Sequence, residues 1–228
     1  MKRIYTILAL LAVTLSSYAS ILDMGTPSKL FTIGARLGIN TSNRTVDGDV
    51  FDKWSNNAWG TGIDVGIVAD MNLRNFISLQ PGFFFESRSG SYAYVSTMAI
   101  PGQIDDVLSQ YGKMRSYNFT IPVMVALHFD LAPAIKWNVE VGPYIQLILK
   151  NSLGNGFMYP DIAASIDGTS YNTARASKFD FGFKFGTSLT LFNHFNAGIH
   201  YMAGSLDAWK NGLGGRNKAW VFSIGYNF

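Results

Sequence analysis

The chain ends in Trp220-Val-Phe-Ser-Ile-Gly-Tyr-Asn-Phe228, where large apolar side chains alternate with small or polar ones. One parity holds Trp220, Phe222, Ile224, Tyr226 and Phe228. The other holds Val221, Ser223, Gly225 and Asn227. A period of two predicts a β-strand whose two faces meet different surroundings. Because chain ends commonly fray, bulky apolar groups at the last residues favour a strand that is held in a sheet.

The same alternation recurs along the chain, in stretches long enough for a tilted strand that spans a membrane, which needs roughly 9 to 11 residues. These stretches are 31–40, 59–71, 76–88, 117–130, 137–150, 178–191, 195–202 and 217–228. Phe76 and Phe84 fall on the polar parity of their stretch. Pro122 lacks an N–H for the sheet ladder, which predicts a bulge or local break beside it.

The apolar parity is predicted to face lipid, because the opposite parity carries Gly, Ser, Asn, Asp and Lys. A soluble lipocalin-type barrel would instead point its apolar residues inward. No stretch after residue 19 is long enough for a membrane-spanning helix. A sheet in lipid must close on itself, since lipid offers no partner for a free edge. The sequence therefore predicts an all-β fold: a transmembrane, antiparallel, up-and-down β-barrel of about eight strands.

Connection lengths predict the orientation of the barrel. The joins at 72–75, 131–134 and 192–194 are tight, whereas those at 41–58, 89–116, 151–177 and 205–216 are long and polar. Outer-membrane barrels have short periplasmic turns and long outer loops, so both termini are expected to be periplasmic and the long loops extracellular. Wall aromatics form two girdles in this frame. The outer one is Trp59, Phe85, Tyr117, Phe179 and Trp220; the inner one is Phe31, Phe129, Trp137, Phe195 and Phe228.

The amino-terminal residues predict export. Lys2 and Arg3 precede the apolar run 4–15, and 17–19 carry the small residues that a signal peptidase requires. We therefore expect a cleaved signal peptide at 1–19, a short periplasmic lead at 20–30 and one barrel domain at 31–228. Removing the signal takes two charges from the formal +3, so the basic pI indicates no nucleic-acid partner. The absence of cysteine excludes disulfides, thiolate metal sites and a lipidated cysteine.

Four segments carry a family resemblance: 34–42 (GARLGINTS), 119–125 (FTIPVMV), 140–144 (EVGPY) and 180–186 (DFGFKFG). In order and spacing they resemble the strand motifs of the PorT-like, "porin family" outer-membrane β-barrel domain. The terminal strand, Trp220 to Phe228, resembles the signal that the barrel-assembly machinery reads. The resemblance implies a small integral outer-membrane barrel in a family of largely unassigned activity, one namesake of which is linked to protein secretion. It implies no catalytic residues.

Charged and polar side chains are predicted to meet at mid-height inside the barrel. Arg36 is expected beside Asp64, and Glu140 beside Lys184, with Gln80 and His200 at similar depth. This lumen polar cluster has two interpretations: a charged constriction that selects solutes, or an ion-paired plug. About eight strands leave room only for side chains, which favours the plug. Buried charges need partners, and this set is balanced.

A lipid-modifying enzyme is the main catalytic alternative, and it would need a nucleophile and a base together at the outer rim. His128 and His194 are expected at the periplasmic end and His200 in the lumen, so catalysis is not predicted. Asp47, Asp49 and Asp52 suggest calcium, but Ala58 stands where a calcium loop needs its bidentate Glu. No metal and no cofactor are predicted. The residues Pro101, Ile104, Val107, Leu108 and Tyr111 have helical spacing and predict a short amphipathic helix on the rim.

The sequence thus predicts an integral outer-membrane protein with a structural, binding or secretion-accessory role and a polar, plugged lumen. The alternative is a small passive-diffusion porin. The expected partners are outer-membrane lipid, the barrel-assembly machinery during biogenesis, and an extracellular or secretion-system protein that contacts the long loops.

Overall fold

The computed structural model describes residues 22–44, 58–98, 106–154, 177–207 and 215–228, with side chains except at 58, 91–98, 106–114 and 151–154. The predicted signal peptide at 1–19 and the calcium candidates Asp47, Asp49 and Asp52 lie outside these residues. Eight strands occur in the described ranges. They are β1 (Phe31–Arg44), β2 (Ala58–Arg74), β3 (Ile77–Met98), β4 (Asp106–Ala132), β5 (Ile135–Gly154), β6 (Phe179–Leu191), β7 (Phe195–Gly204) and β8 (Asn217–Asn227).

The strands form one closed antiparallel barrel in sequence order, as predicted. β8 returns to pair with β1, from Gly34 opposite Asn227 to Arg44 opposite Asn217. The Phe228 amide extends this seam by donating to the Ile33 carbonyl at 2.8 Å. This seam leaves β1 and β8 without a free edge along the residues that pair.

Exposure is inverted relative to a soluble protein. Large apolar side chains are exposed on the outer wall, for example Leu37 at 58%, Phe183 at 51% and Ile224 at 64%. Buried positions are instead mostly polar, and include Asp64 and Glu140. An apolar belt of this extent is not stable in water, and lipid is the solvent that fits it. The predicted lipid-facing and lumen-facing parities are therefore those of the structure.

The two ends of the barrel differ in their connections. Tight turns at 75–76, 133–134 and 192–194 lie at one end, which we call the turn end. At the opposite end, the loop end, the connecting residues 45–57, 99–105, 155–176 and 208–214 are outside the described ranges. Aromatic contacts occur near both ends: Tyr201 packs on Trp220 at 4.8 Å near the loop end, and Phe129 on Trp137 at 5.3 Å near the turn end.

The hairpin of β3 and β4 corrects the prediction for residues 89–116. These residues were expected to be a loop with a helix, but β3 continues to Met98 and β4 begins at Asp106. Val107, Leu108 and Tyr111 pair with Thr97, Ser96 and Ala93, so the helix prediction is wrong at these positions. Cross-strand pairing satisfies backbone groups on both strands, and it outweighs a helical spacing of few residues. Pro101 and Ile104 lie outside the described residues.

Beside Pro122 the structure has the local break, one of the two predicted outcomes, and no bulge: the β3–β4 pairing skips Gly82 and Phe83. The β3–β4 register is the same on both sides, with Pro81 opposite Val123 and Phe84 opposite Thr120. On the β5 side the register is the same at Pro122 and at Val125, and the shifts lie between Tyr117 and Asn118 and between Asp130 and Ala132. A proline removes one donor from the ladder, and neighbouring pairs hold the register here without an extra residue.

Phe84, which breaks the alternation of β3, points into the lumen and is 8% exposed. Its ring lies where Gly66 and Gly82 leave space, since a Cβ at Gly82 would stand 2.8 Å from the Phe84 ring. Phe76 lies in the turn between β2 and β3. The aromatic on the polar parity is therefore a lumen side chain, and not a sign of a shifted register.

Candidate functional site

The six residues of the lumen polar cluster line one small chamber at mid-height, with a volume of about 40 Å³. Each comes from the inward parity of a different strand. They are Arg36 of β1, Asp64 of β2, Gln80 of β3, Glu140 of β5, Lys184 of β6 and His200 of β7. The structure thus brings the predicted residues together, although the pairs among them differ from those expected.

The predicted pair of Arg36 and Asp64 is not formed within the described residues. The β1–β2 register places Asp64 opposite Gly38 and Arg36 opposite Gly66, which separates the two side chains by two residues along the barrel. Asp64 Oδ2 instead accepts a hydrogen bond from Asn40 Nδ2 at 2.8 Å. Two side chains that the sequence places at a similar depth in the barrel therefore need not form an ion pair, because the strand register decides which side chains meet.

Glu140 pairs with His200 rather than with Lys184. The Glu140 Oε2 and His200 Nε2 atoms are 2.5 Å apart, and Ser188 Oγ donates to Glu140 Oε1 at 2.5 Å. The Lys184 ammonium lies 4.8 Å from the centre of the Phe84 ring, in a cation–π arrangement. The carboxylate is thereby held from two sides, and the aromatic ring supports the lysine that was expected to be its partner.

A second ion pair lies nearer the loop end and was not predicted. Arg88 Nη2 is 2.7 Å from Glu86 Oε2, and both residues are at most 6% exposed. Gln146 Nε2 donates to the same Glu86 oxygen at 2.9 Å and also to Thr120 Oγ1. Arg88 Nη2 additionally contacts Met202 Sδ at 3.0 Å. The signal for this pair is in the sequence, where Glu86 and Arg88 share the inward parity of one strand.

Two large side chains pack in the lumen near this pair. Tyr144 and Met202 are fully buried, at 1% and 0% exposure. The Tyr144 hydroxyl donates to Asp180 Oδ2 at 3.4 Å, and Asn217 Nδ2 donates to the same oxygen at 2.9 Å. Only glycine at position 182 leaves room for this tyrosine, because a Cβ there would stand 2.8 Å from its hydroxyl oxygen. A second recess, closer to the loop end, has a volume of about 20 Å³.

At the turn end the lumen widens into a cavity of about 310 Å³, which we call the turn-end cavity. His128 and His194 line it, as their predicted positions require. His128 Nε2 lies 2.9 Å from Ser78 Oγ, and His128 Nδ1 lies 2.8 Å from Asn138 Oδ1. This connectivity is that of a nucleophile, a base and an orienting group. However, Ser78 is 0% exposed, so its hydroxyl has no access to a substrate.

The predicted assembly signal forms the outer face of β8. All of its members are exposed: Trp220 at 40%, Phe222 at 45%, Ile224 at 64%, Tyr226 at 40% and Phe228 at 66%. The Tyr226 ring contacts Phe195 and Phe228 at 5.4 Å and 5.3 Å. The terminal strand is therefore part of the wall and carries an aromatic cluster at the turn end.

The described ranges lack both a candidate metal cluster and a membrane-spanning helix. No group of three or more His, Asp or Glu side chains there is placed to hold a metal ion. The described residues contain no helix with the length and apolarity needed to cross a membrane.

The chain belongs to the outer membrane protein β-barrel domain family, whose model matches residues 20–206. It is therefore an outer-membrane β-barrel protein. A search of curated proteins finds no match.

Similar solved structures include small outer-membrane barrels. One is OprG from Pseudomonas aeruginosa, at 10% identity and a TM-score of 0.47, covering 90% of this chain and 98% of that chain. Another is Ail of Yersinia pestis in complex with the heparin analogue sucrose octasulfate, at 15% identity and a TM-score of 0.41, covering 88% and 100%. LpxR from Salmonella typhimurium has 7% identity and a TM-score of 0.33, covering 86% and 100%.

Proposed function

We propose that this outer-membrane barrel does not conduct solutes and has a structural, binding or secretion-accessory role. The observation that carries the proposal is the packing of the lumen. Above the turn-end cavity the described lumen contains voids of about 40 and 20 Å³, separated by buried ion pairs and by Tyr144 and Met202. A void of this size holds no more than a few water molecules. If the lumen is closed, the outer surface of the barrel and its loops are the parts that contact other molecules.

The pairing of the buried charges supports a permanent plug. Glu86 is held by Arg88 and Gln146, while Glu140 is held by His200 and Ser188. Opening the lumen would separate these groups, and breaking a buried pair is strongly unfavourable. A passive-diffusion porin would instead need a continuous aqueous path.

Conductance in planar bilayers tests the plug. Purified full-length protein, confirmed as folded by its heat-dependent mobility on a gel, is expected to show no steady open state. A variant with Tyr144 and Met202 both changed to alanine is the matched control, because it removes the two largest fully buried lumen side chains. It is expected to open more often than the wild type. A steady conductance of the wild type would favour the porin instead.

Catalysis is not part of the proposal. A lipid-modifying enzyme needs an accessible nucleophile next to a base. The histidine that contacts a serine hydroxyl, His128, lies at the turn end, and its partner Ser78 is fully buried. His200 is occupied by Glu140. We also propose that the chain is similar to the PorT-like proteins, because its four motifs between residues 34 and 186 stand in the same order.

We further propose that the termini are periplasmic, that the long loops meet an extracellular or secretion-system partner, and that the barrel-assembly machinery reads the terminal strand. The alternation of short and long connections supports the first two points. The exposed aromatic face of β8 and the Phe228–Ile33 backbone bond support the third. Most residues of the long loops lie outside the described ranges.

A surface epitope tests orientation and assembly together. With a tag inserted in 155–170, antibody is expected to label intact cells, and deletion of Phe228 is expected to lower this label while the exported amount stays constant. The reason is that the deletion removes one backbone bond and one aromatic contact from the closing strand. Labelling only after permeabilisation would reverse the orientation. Equal labelling of wild type and deletion would argue against a role of the terminus.

A further inference from the structure

The turn-end cavity has the size of a small-molecule site. Its volume of about 310 Å³ is at the lower end of the range for ligand pockets, roughly 300 to 1,000 Å³. Inward side chains of several strands line it, together with residues 27–29 of the lead segment. The lead is tied to the β2–β3 turn, because Asn72 Nδ2 donates to the Lys29 carbonyl at 2.9 Å and Asn75 Nδ2 to Asp23 Oδ2 at 2.7 Å.

Much of the wall of this cavity is held in place by hydrogen bonds. Asn138 Nδ2 donates to Thr190 Oγ1 at 2.9 Å, while its Oδ1 is bonded to the His128 ring. His194 Nδ1 lies 2.8 Å from the Asn227 carbonyl oxygen, and its ring stacks on Tyr226 at 5.3 Å. Side chains that are already ordered lose little conformational entropy when a ligand binds.

Two acceptors in this wall are left without a hydrogen-bond partner: Asp70 Oδ1 and Asn227 Oδ1. The two residues are 9% and 7% exposed. Asp70 interacts electrostatically with His128 and Arg36 and accepts a hydrogen bond from Gln80, but it forms no ion pair with Arg36 among the described residues. An unsatisfied buried acceptor is unfavourable, and a ligand that brings N–H donors relieves this cost. A carboxylate such as that of Asp70 suits an ammonium group.

Two lysines lie nearer the solvent in the same cavity. Lys29 is exposed and Lys136 is half-buried. Neither ammonium forms an ion pair with an acid within the described residues. The cavity therefore has a positive end at its mouth, formed by the lysines, and a negative end further in, formed by Asp70. A carboxylate on a ligand would suit the lysines.

The two-residue turn between β6 and β7 lies at the same place. Phe192 and Asn193 have φ angles of 53° and 60°, and both line the cavity. Positive φ at both central residues is the geometry of a tight two-residue hairpin, so the turn is a defined part of the cavity wall. His194 N donates to the Leu191 carbonyl at 3.0 Å, which closes the turn and keeps these two residues at the mouth.

We propose that the turn-end cavity binds a zwitterionic solute of about dipeptide size, with its ammonium group at Asp70 and its carboxylate at Lys29 and Lys136. The inference goes beyond the proposed function, because a site at one end of the barrel needs neither a conducting nor a closed lumen.

Calorimetric titration of the full-length protein in phosphatidylcholine nanodiscs, which leave both ends open, tests this site. Three probes separate its two halves: alanyl-alanine, N-acetyl-alanyl-alanine without the ammonium, and alanyl-alanine amide without the carboxylate. Alanyl-alanine is expected to bind one-to-one, and at least about tenfold more tightly than either analogue, since each analogue loses a charge-assisted contact.

Variants assign the two ends of the ligand. Asp70→Asn is expected to weaken alanyl-alanine about tenfold and to leave the N-acetyl analogue unchanged. Lys136→Gln is expected to weaken alanyl-alanine and to leave the amide unchanged, and it keeps the test valid if Asp70→Asn does not fold. Asp207→Asn and Lys178→Gln, exposed residues near the loop end, are matched controls without expected effect. Equal affinity for the three probes, equal effects of cavity and control variants, or no saturable binding at millimolar concentration would overturn the proposal.

Discussion

Phe183→Arg is expected to lower the free energy of unfolding in a lipid bilayer by about 2 to 4 kcal/mol, the cost of an arginine on a barrel wall at the bilayer midplane. Phe183 lies mid-way along β6, opposite Pro143 and Ala203, and is 51% exposed on the outer wall. A charged side chain there has only hydrocarbon around it. Urea unfolding in vesicles measures the change.

Two control variants separate the effect of depth in the bilayer from the effect of losing the phenylalanine ring. Phe31→Arg makes the same substitution on the outer face close to the turn end, where the expected cost is about 0 to 1 kcal/mol. Phe183→Leu keeps the position apolar and measures the loss of the ring alone. If the two arginine variants lost the same stability, the mid-wall position of Phe183 would be incorrect.

Arg88→Met is expected to destabilise the barrel by about 3 to 5 kcal/mol, because it leaves the Glu86 carboxylate buried without its cation. Arg88 is 6% exposed and lies 2.7 Å from Glu86. Gln146 keeps its hydrogen bond to the carboxylate but brings no compensating charge. Chemical unfolding of refolded protein provides the measurement.

A double-mutant cycle isolates this ion pair. Glu86→Gln combined with Arg88→Met removes both charges, and we expect it to be more stable than Arg88→Met alone. Lys178→Met, an exposed position near the loop end, is the control for loss of a cation and should stay within about 0.5 kcal/mol of the wild type. Additive effects of the two lumen substitutions would mean that the pair does not act as a unit.

The strand pattern was predictable because each strand meets lipid on one face and packed polar side chains on the other. Two different solvents impose a period of two on nearly every strand, and β6 shows it with exposed Phe181, Phe183 and Phe185 against buried Asp180 and Lys184. Turn positions followed from the same alternation. The loop end was less predictable, since β3 and β4 pair well beyond the alternating stretches, where no lipid imposes a pattern.

Partner choice inside the lumen could not be predicted in the same way. Ser188 illustrates the point: the alternation indicates only that it faces inward. In the structure its hydroxyl bonds Glu140 and accepts from Asn138 and Asn196, so it is a poor neutral position for substitution. Inward side chains cross the barrel, and their contacts depend on strands distant in sequence.

The amino-acid sequence by itself determined the barrel class, the strand count, the lipid-facing parity and the set of polar residues at mid-height. These depend on local alternation, which the surrounding solvent imposes on each strand separately. Only the tertiary structure decided that Glu140 meets His200, that Glu86 and Arg88 form a buried ion pair, and that Asp70 and Asn227 share a cavity with Lys136. Register across the barrel and the space left by glycines such as Gly182 decide those contacts, and both are properties of neighbouring strands together.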